Sequence, residues 1–160
     1  MATDPSADLT LTPLEGAGRT VREWLTNFHL VVVCIDPYTN QSSWVLDPAA
    51  RFMRHFSGAA ARMSWLVTAD ADGARSFLGP LAKEFLTFAD PDRAAVRSLG
   101  LATLPALVFV KQDGTVAAAA EGWHSDQWKA VAEVMAPILA WSRPEMPHPK
   151  DPRPFEGTPV

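Results

Sequence analysis

The segment Leu101 to Gly122, LATLPALVFVKQDGTVAAAAEG, limits the possible folds of this chain more than any other stretch. Ala106 to Val110 and Val116 to Ala120 are apolar runs of strand length, separated by Lys111 to Thr115 (KQDGT). An Asp-Gly step between two such runs supplies the positive-φ positions of a tight turn, so the segment predicts a β-hairpin. Leu104-Pro105 stands at its entrance, because a proline that cannot donate to a ladder is tolerated at the start of a strand.

Other strands are legible beside it. Leu30 to Ile35 (LVVVCI) is a continuous, largely β-branched block bounded by polar residues, the pattern of a buried parallel strand, and Met63 to Thr68 (MSWLVT) reads the same way. Asp8 to Leu14 alternates like a short edge strand, and Glu15 to Gly18 supplies a turn. Helices are expected at Thr20 to Phe28, at Trp44 to Phe56 and at Ala71 to Leu81, the last broken near Gly79 and Pro80. Asp36 to Ser43 (DPYTNQSS) is expected as a loop, and Phe85 to Phe88 as a short extended segment. Asp90 to Ser98 opens with a cap and a proline, so it predicts a helix start, and Ser125 to Trp141 predicts the last helix with Ser125 as its cap. Trp128, Val131, Ala132, Met135, Ile138 and Leu139 are its expected core face.

At 160 residues the chain suits a single domain with a sizeable core. A formal charge of −4 disfavours nucleic acid as a partner. No run approaches the length that spans a bilayer, and the acidic opening MATDPSADLT is unlike a signal peptide. A cytoplasmic location is therefore expected, and one unpaired cysteine suits a reducing compartment. The expected organisation is a flexible N-terminus over residues 1–7, a domain over 8–141 and a tail over 142–160. That tail carries six prolines in its last eighteen residues, so it should be extended and mobile unless docked. It is either a passive end or an arm that lies along a partner or the chain's own body, anchored by Met146 and Phe155.

DLTLTPLEGAGRTVREWLTNFHLVVVCID resembles the opening of TlpA-like and peroxiredoxin-like redoxin domains, and MSWLVTADADGARSFLGPLAKEFLTFADPDRAAVRSLGLATLPALVFVKQDG resembles their middle section. The resemblance covers about residues 8–138. It implies an α/β thioredoxin-like fold, with a central mixed β-sheet flanked by helices and a cis proline at Pro105 before the C-terminal hairpin. It further implies that Leu104 offers a free backbone edge to an extended peptide. Aligned without gaps, the family's Cys-x-x-Cys falls on Tyr38, Thr39, Asn40 and Gln41; with a small shift it falls on Asn40 to Ser43. Neither register contains a thiol, and serine cannot replace one, because its hydroxyl neither ionises near neutrality nor forms a reversible S–S bond.

Cys34 is the single cysteine, inside the strand Leu30 to Ile35, where a small buried hydrophobe is expected rather than a catalytic group. His29, His55, His124 and His148 lack metal-ligand spacing, so neither a metal site nor any other cofactor is expected. Trp24, Trp65 and Trp128 fit core positions, whereas Trp44 and Trp123 fall near loop ends where rings can be partly exposed. Tyr38, Trp44, Leu104 and Trp123 could then line a binding groove beside Pro105, with Thr39, Asn40 and Gln41 on its rim. Two functions remain open at this point. One is a redox-inactive protein-binding module or accessory subunit of a larger assembly; the other is a single-cysteine thiol oxidoreductase or peroxidase that uses Cys34 with an external thiol. A non-redox enzyme built on the loop hydroxyls is a third.

Overall fold

A computed structural model describes residues 2–160. Seven strands form a mixed sheet: β1 (Thr10–Pro13), β2 (Arg19–Thr20), β3 (His29–Ile35), β4 (Ala61–Val67), β5 (Leu86–Ala89), β7 (Ala106–Val110) and β8 (Val116–Glu121). Two further strands, β6 (Thr103–Leu104) and β9 (Thr158–Pro159), pair only with each other. The helices are α1 (Val21–Trp24), α2 (Asn40–Trp44), α3 (Leu46–Phe56), α4 (Ala71–Leu78), α5 (Leu81–Glu84), α6 (Ala94–Ser98) and α7 (Ser125–Leu139).

The order across the sheet is β2-β1-β5-β4-β3-β7-β8. The β-branched block β3 lies at its centre, parallel to β4 and antiparallel to β7, with Cys34 opposite Leu66 on one side and Ala106 on the other. Because side chains alternate across a strand, β3 feeds two cores. Val31, Val33 and Ile35 pack with Phe52, Phe56, Trp128 and Met135 of α3 and α7. Leu30, Val32 and Cys34 pack with Val21 and Trp24 of α1 and Val96 of α6. The expected hairpin forms between β7 and β8, and Gly114 in its turn has φ +88°.

Several boundaries differ from those expected, each for a local reason. β1 is not the sheet edge, because β2 pairs outside it. The helix expected over 20–28 is one turn only: Thr20 and Glu23 form a capping box that starts it, and the chain must enter β3 at His29. Phe28, past the end of this turn, lies exposed. The helix expected from Trp44 to Phe56 is two, α2 and α3. Pro48 sits in the first turn of α3, where its missing N–H costs nothing, so it marks a helix start that reading by apolar period alone runs through. The expected loop 36–43 is accordingly helical from Asn40.

Gly79, at φ +56°, ends α4 early. Asp90 does cap the next helix, accepting the Ala95 and Val96 N–H groups at 3.1 Å, yet α6 itself begins only after the left-handed Arg93. In α7 the cap position is His124, not Ser125, and left-handed Ala140 ends the helix before Trp141, leaving Ile138 exposed. Residues of the N-terminal stretch expected to be flexible are hydrogen-bonded to the body. Thr3 N–H donates to Leu99 O at 2.8 Å, and Asp4 accepts the Val116 N–H at 2.8 Å. No helix among the described residues is long and apolar enough to cross a membrane.

Candidate functional site

The site of interest lies at the end of β3, where the chain leaves the sheet into α2 and faces the turn between β6 and β7. Asp36, buried, organises the exit. Its Oδ1 accepts the Tyr38 N–H at 3.0 Å and its Oδ2 accepts from the Arg93 guanidinium at 3.0 Å. Thr39 Oγ1 and Ser42 Oγ share a hydrogen bond of 2.7 Å. Two hydroxyls so arranged hold the turn into α2, and neither meets a base that would activate it.

Cys34 is 0% exposed, and burial, with a smaller contribution from the Asp90 charge, pushes its thiol well above the ordinary range. Thiolate is the reactive form, so the group is held protonated inside the sheet. Across the segment that enters α2, residues 38–43, none of the side chains is a thiol. Tyr38 is 75% exposed and Asn40 exposed, with Thr39 and Gln41 half-buried.

The structure brings Trp44, Leu104, Pro105 and Trp123 together, and it does so through a fifth element absent from the expected groove. The C-terminal tail crosses the end of the sheet from one core to the other. Met146 is buried against the α3–α7 core, and Val160 packs on the α1–α6 core. Between them, Asp151, its side chain 5% exposed, accepts from Arg51 Nη2 at 2.8 and 2.9 Å. Trp123 Nε1 donates to Pro152 O at 2.9 Å. Trp123 and Phe155 exchange backbone hydrogen bonds of 2.8 and 3.0 Å, and the Phe155 ring meets Trp44 edge to face at 6.1 Å. His124 Nε2 lies 3.3 Å from Glu156.

Beyond Phe155 the tail becomes β9. Leu104 faces Thr158 and Thr103 faces Pro159 in antiparallel register, and Val160 N–H donates to Ala102 O at 3.0 Å. The Leu104-Pro105 bond is cis, as is Met146-Pro147. Two expectations therefore need correction. The backbone edge at Leu104, expected to be free for a peptide, is paired with the chain's own tail. Trp123, expected near the surface, is 0% exposed, because the tail pairs with it through Pro152 and Phe155 and Trp128 meets its ring edge-on at 5.1 Å. Trp44 remains 53% exposed beside Phe155.

Tyr38 stands apart from this groove. Its hydroxyl lies over the first turn of α4, 4.0 Å from where a Cβ on Gly73 would be. The residues that sequence reasoning missed are on the tail itself: Pro152, Gly157 and Thr158, together with Arg51, which holds Asp151. Gly157 had a signal, an isolated glycine in a proline-rich extended run, but its partner, Leu104, is far away in sequence and invisible to any local pattern. Among the described residues no group of three or more His, Cys, Asp or Glu side chains is placed to hold a metal ion.

No family model matches the chain, and no curated protein matches its sequence. Solved structures do match. One is a secreted Mycobacterium tuberculosis disulfide oxidoreductase homologous to E. coli DsbE, at 21% identity and TM-score 0.62, covering 81% of this chain and 96% of that one. A Chlorobium tepidum structure described as a thiol:disulfide interchange protein DsbE has TM-score 0.70 at 14% identity, covering 87% and 98%. The Xanthomonas campestris bacterioferritin comigratory protein, described for alkyl peroxide reduction, has TM-score 0.65 at 16% identity, covering 86% and 93%. At these identities the likeness is one of fold.

Proposed function

We propose that this chain, which has the thioredoxin-like fold of the redoxins but no Cys-x-x-Cys pair, is a redox-inactive protein-binding module, free-standing or an accessory subunit of a larger assembly. The observation that supports this reading is the pairing of two facts at one place. In either register that the resemblance allows, Tyr38 to Gln41 or Asn40 to Ser43, no thiol stands where the pair would fall, and the single thiol, Cys34, is buried in the central strand and held protonated. A disulfide cycle needs an accessible thiolate and a partner sulfur to resolve the mixed disulfide. What the end of the sheet does present is surface of the kind partners use. Tyr38 and Trp44 are large, rigid and exposed, and such residues bury much area at low entropic cost. A protein partner would meet these rings together with Thr39, Asn40 and Gln41. An unpaired thiol suits a reducing compartment, and the cytoplasm is the location that accords with this reading.

The test joins an assay to an isolation. With a protein disulfide or a peroxide as substrate and an external thiol as donor, the purified chain is expected to give no turnover above buffer. Isolated from its native cells it is expected to carry a stoichiometric protein that survives Cys34→Ser and is lost in a Tyr38→Ala, Trp44→Ala double variant. Turnover that Cys34→Ser abolishes would replace the binding module with a single-cysteine thiol enzyme.

A further inference from the structure

The tail's contact with the body is shaped from both sides. Gly157 has φ +90°, and a Cβ there would fall far inside contact distance of Leu104 O, a backbone atom that cannot yield. Across the groove Gly122 has φ +77°, and a Cβ on it would stand 2.8 Å from Glu156 O and 3.0 Å from Phe155 O. Gly157 on the tail thus leaves room for the Leu104 backbone of the body, and Gly122 on the body leaves room for the tail's backbone at Phe155 and Glu156, which is the use to which only glycine can be put. On the tail side of this fit, Phe155 places its ring on Trp44 two residues before Gly157, and Thr158 follows in strand register with Leu104. Main-chain pairing supplies affinity in strand addition, and the pockets for particular side chains supply specificity.

We propose that Ala102 to Leu104, with Trp44, Gly122 and Trp123, is a strand-addition site for a partner's extended segment of the pattern aromatic–any–Gly–Thr, and that residues 155–158 of the chain occupy it as a built-in competitor. This rests on the binding-module reading and names its partner's chemistry. A tethered segment faces its site at an effective concentration in the millimolar range, so a free segment of similar intrinsic affinity enters only where its carrier gains further contacts, such as those at Tyr38 and Trp44. The partner engages when the tail leaves. The same logic explains why the tail needs an additional fixture upstream: the Arg51–Asp151 ion pair holds it in the path that delivers Phe155 to Trp44.

The test uses the full chain and a fluorescein-labelled peptide of the sequence Asp-Pro-Arg-Pro-Phe-Glu-Gly-Thr-Pro-Val, read by fluorescence anisotropy. Gly157→Val on the chain expels its own tail from the Leu104 edge without altering the body. The variant is expected to bind the peptide at least about tenfold more tightly than the wild type. A peptide with valine in place of its glycine is expected to bind neither protein. Hydrogen exchange at the Phe155 and Val160 amides reports whether the tail has left, and Phe155→Ala provides a second releasing variant should Gly157→Val not fold. Free exchange at those amides without a gain in peptide affinity overturns the proposal, and so does a tail that stays protected in both variants. Dimers of the wild-type chain joined by exchanged tails, seen as a doubled mass in light scattering, overturn it in favour of a second copy as occupant. None of these outcomes touches the turnover and labelling of Cys34, so failure here and failure of the redox-inactive reading are separable.

Discussion

Cys34→Ser is the perturbation on which thiol chemistry and burial disagree most. The side chain is 0% exposed, and its strand is hydrogen-bonded on both sides, to β4 and to β7. A hydroxyl placed there meets apolar neighbours and backbone groups already committed to ladders. Burying it without a partner costs roughly 1–3 kcal/mol on protein mutational scales. For a chain of this size each kcal/mol lowers Tm by about 2–4 °C, so a fall of roughly 2–12 °C is expected. The matching prediction concerns the wild-type thiol. Exposing a fully buried side chain of a strand paired on both sides requires opening close to global unfolding, which costs about 5–15 kcal/mol for an ordinary domain. A factor of ten per 1.4 kcal/mol then makes native labelling with Ellman's reagent at least about three orders of magnitude slower than labelling in strong denaturant. Stopped-flow absorbance at mildly alkaline pH measures both rates. Native labelling within about tenfold of the denatured rate, or a Cys34→Ser variant as stable as the wild type, would refute the reasoning, because either result means that the thiol is accessible.

Three further outcomes are expected. Arg51→Met leaves the largely buried Asp151 carboxylate with the His148 N–H at 2.9 Å and without its cation, and should loosen the tail by about 1–3 kcal/mol; a red shift of Trp fluorescence as Trp123 is uncovered, with the far-ultraviolet spectrum unchanged, checks it. His29 has its pKa lowered from the usual 6.5, first by burial and then by the Lys111 charge, and its Nδ1 accepts the Gln112 N–H at 2.9 Å. The unfolded chain therefore takes up this proton first, so the contribution is whole above about pH 6.5 and shrinks as pH falls below it. Denaturant titrations should show the wild type losing more stability than His29→Gln between neutral and mildly acidic pH, and parallel losses would refute the assignment. Finally, Trp128→Phe should cost about 1 kcal/mol more than Trp65→Phe. Both rings are buried, but Trp128 Nε1 donates to Gly122 O at 3.0 Å, whereas Trp65 Nε1 has no hydrogen-bond partner among the described residues; equal Tm changes would contradict this.

What could be read along the chain was what neighbouring residues encode. The β-branched block Leu30 to Ile35 announces a buried central strand because so apolar a run has nowhere else to go, and Lys111 to Thr115 announces the hairpin because Asp-Gly accepts the turn's backbone angles. The absence of a second cysteine excludes an internal disulfide cycle without any coordinates. Helix limits were harder, since Pro48 acts at a start that an apolar period does not mark, and α6 begins only after the left-handed Arg93 although its cap, Asp90, was legible. The fate of the groove lay beyond sequence altogether. Six prolines in eighteen residues say that the tail will be extended, but not where it lies, because an extended strand completes its hydrogen bonds only with a partner far away in sequence. That partner is Leu104, reached by Thr158 across the end of the sheet, and the fit depends on Gly157 leaving room for the Leu104 backbone and Gly122 for the backbone of Phe155 and Glu156. Local residue patterns thus determined the scaffold and the missing chemistry, while the occupied edge and the buried Trp123 follow from long-range pairing that only the tertiary structure decided.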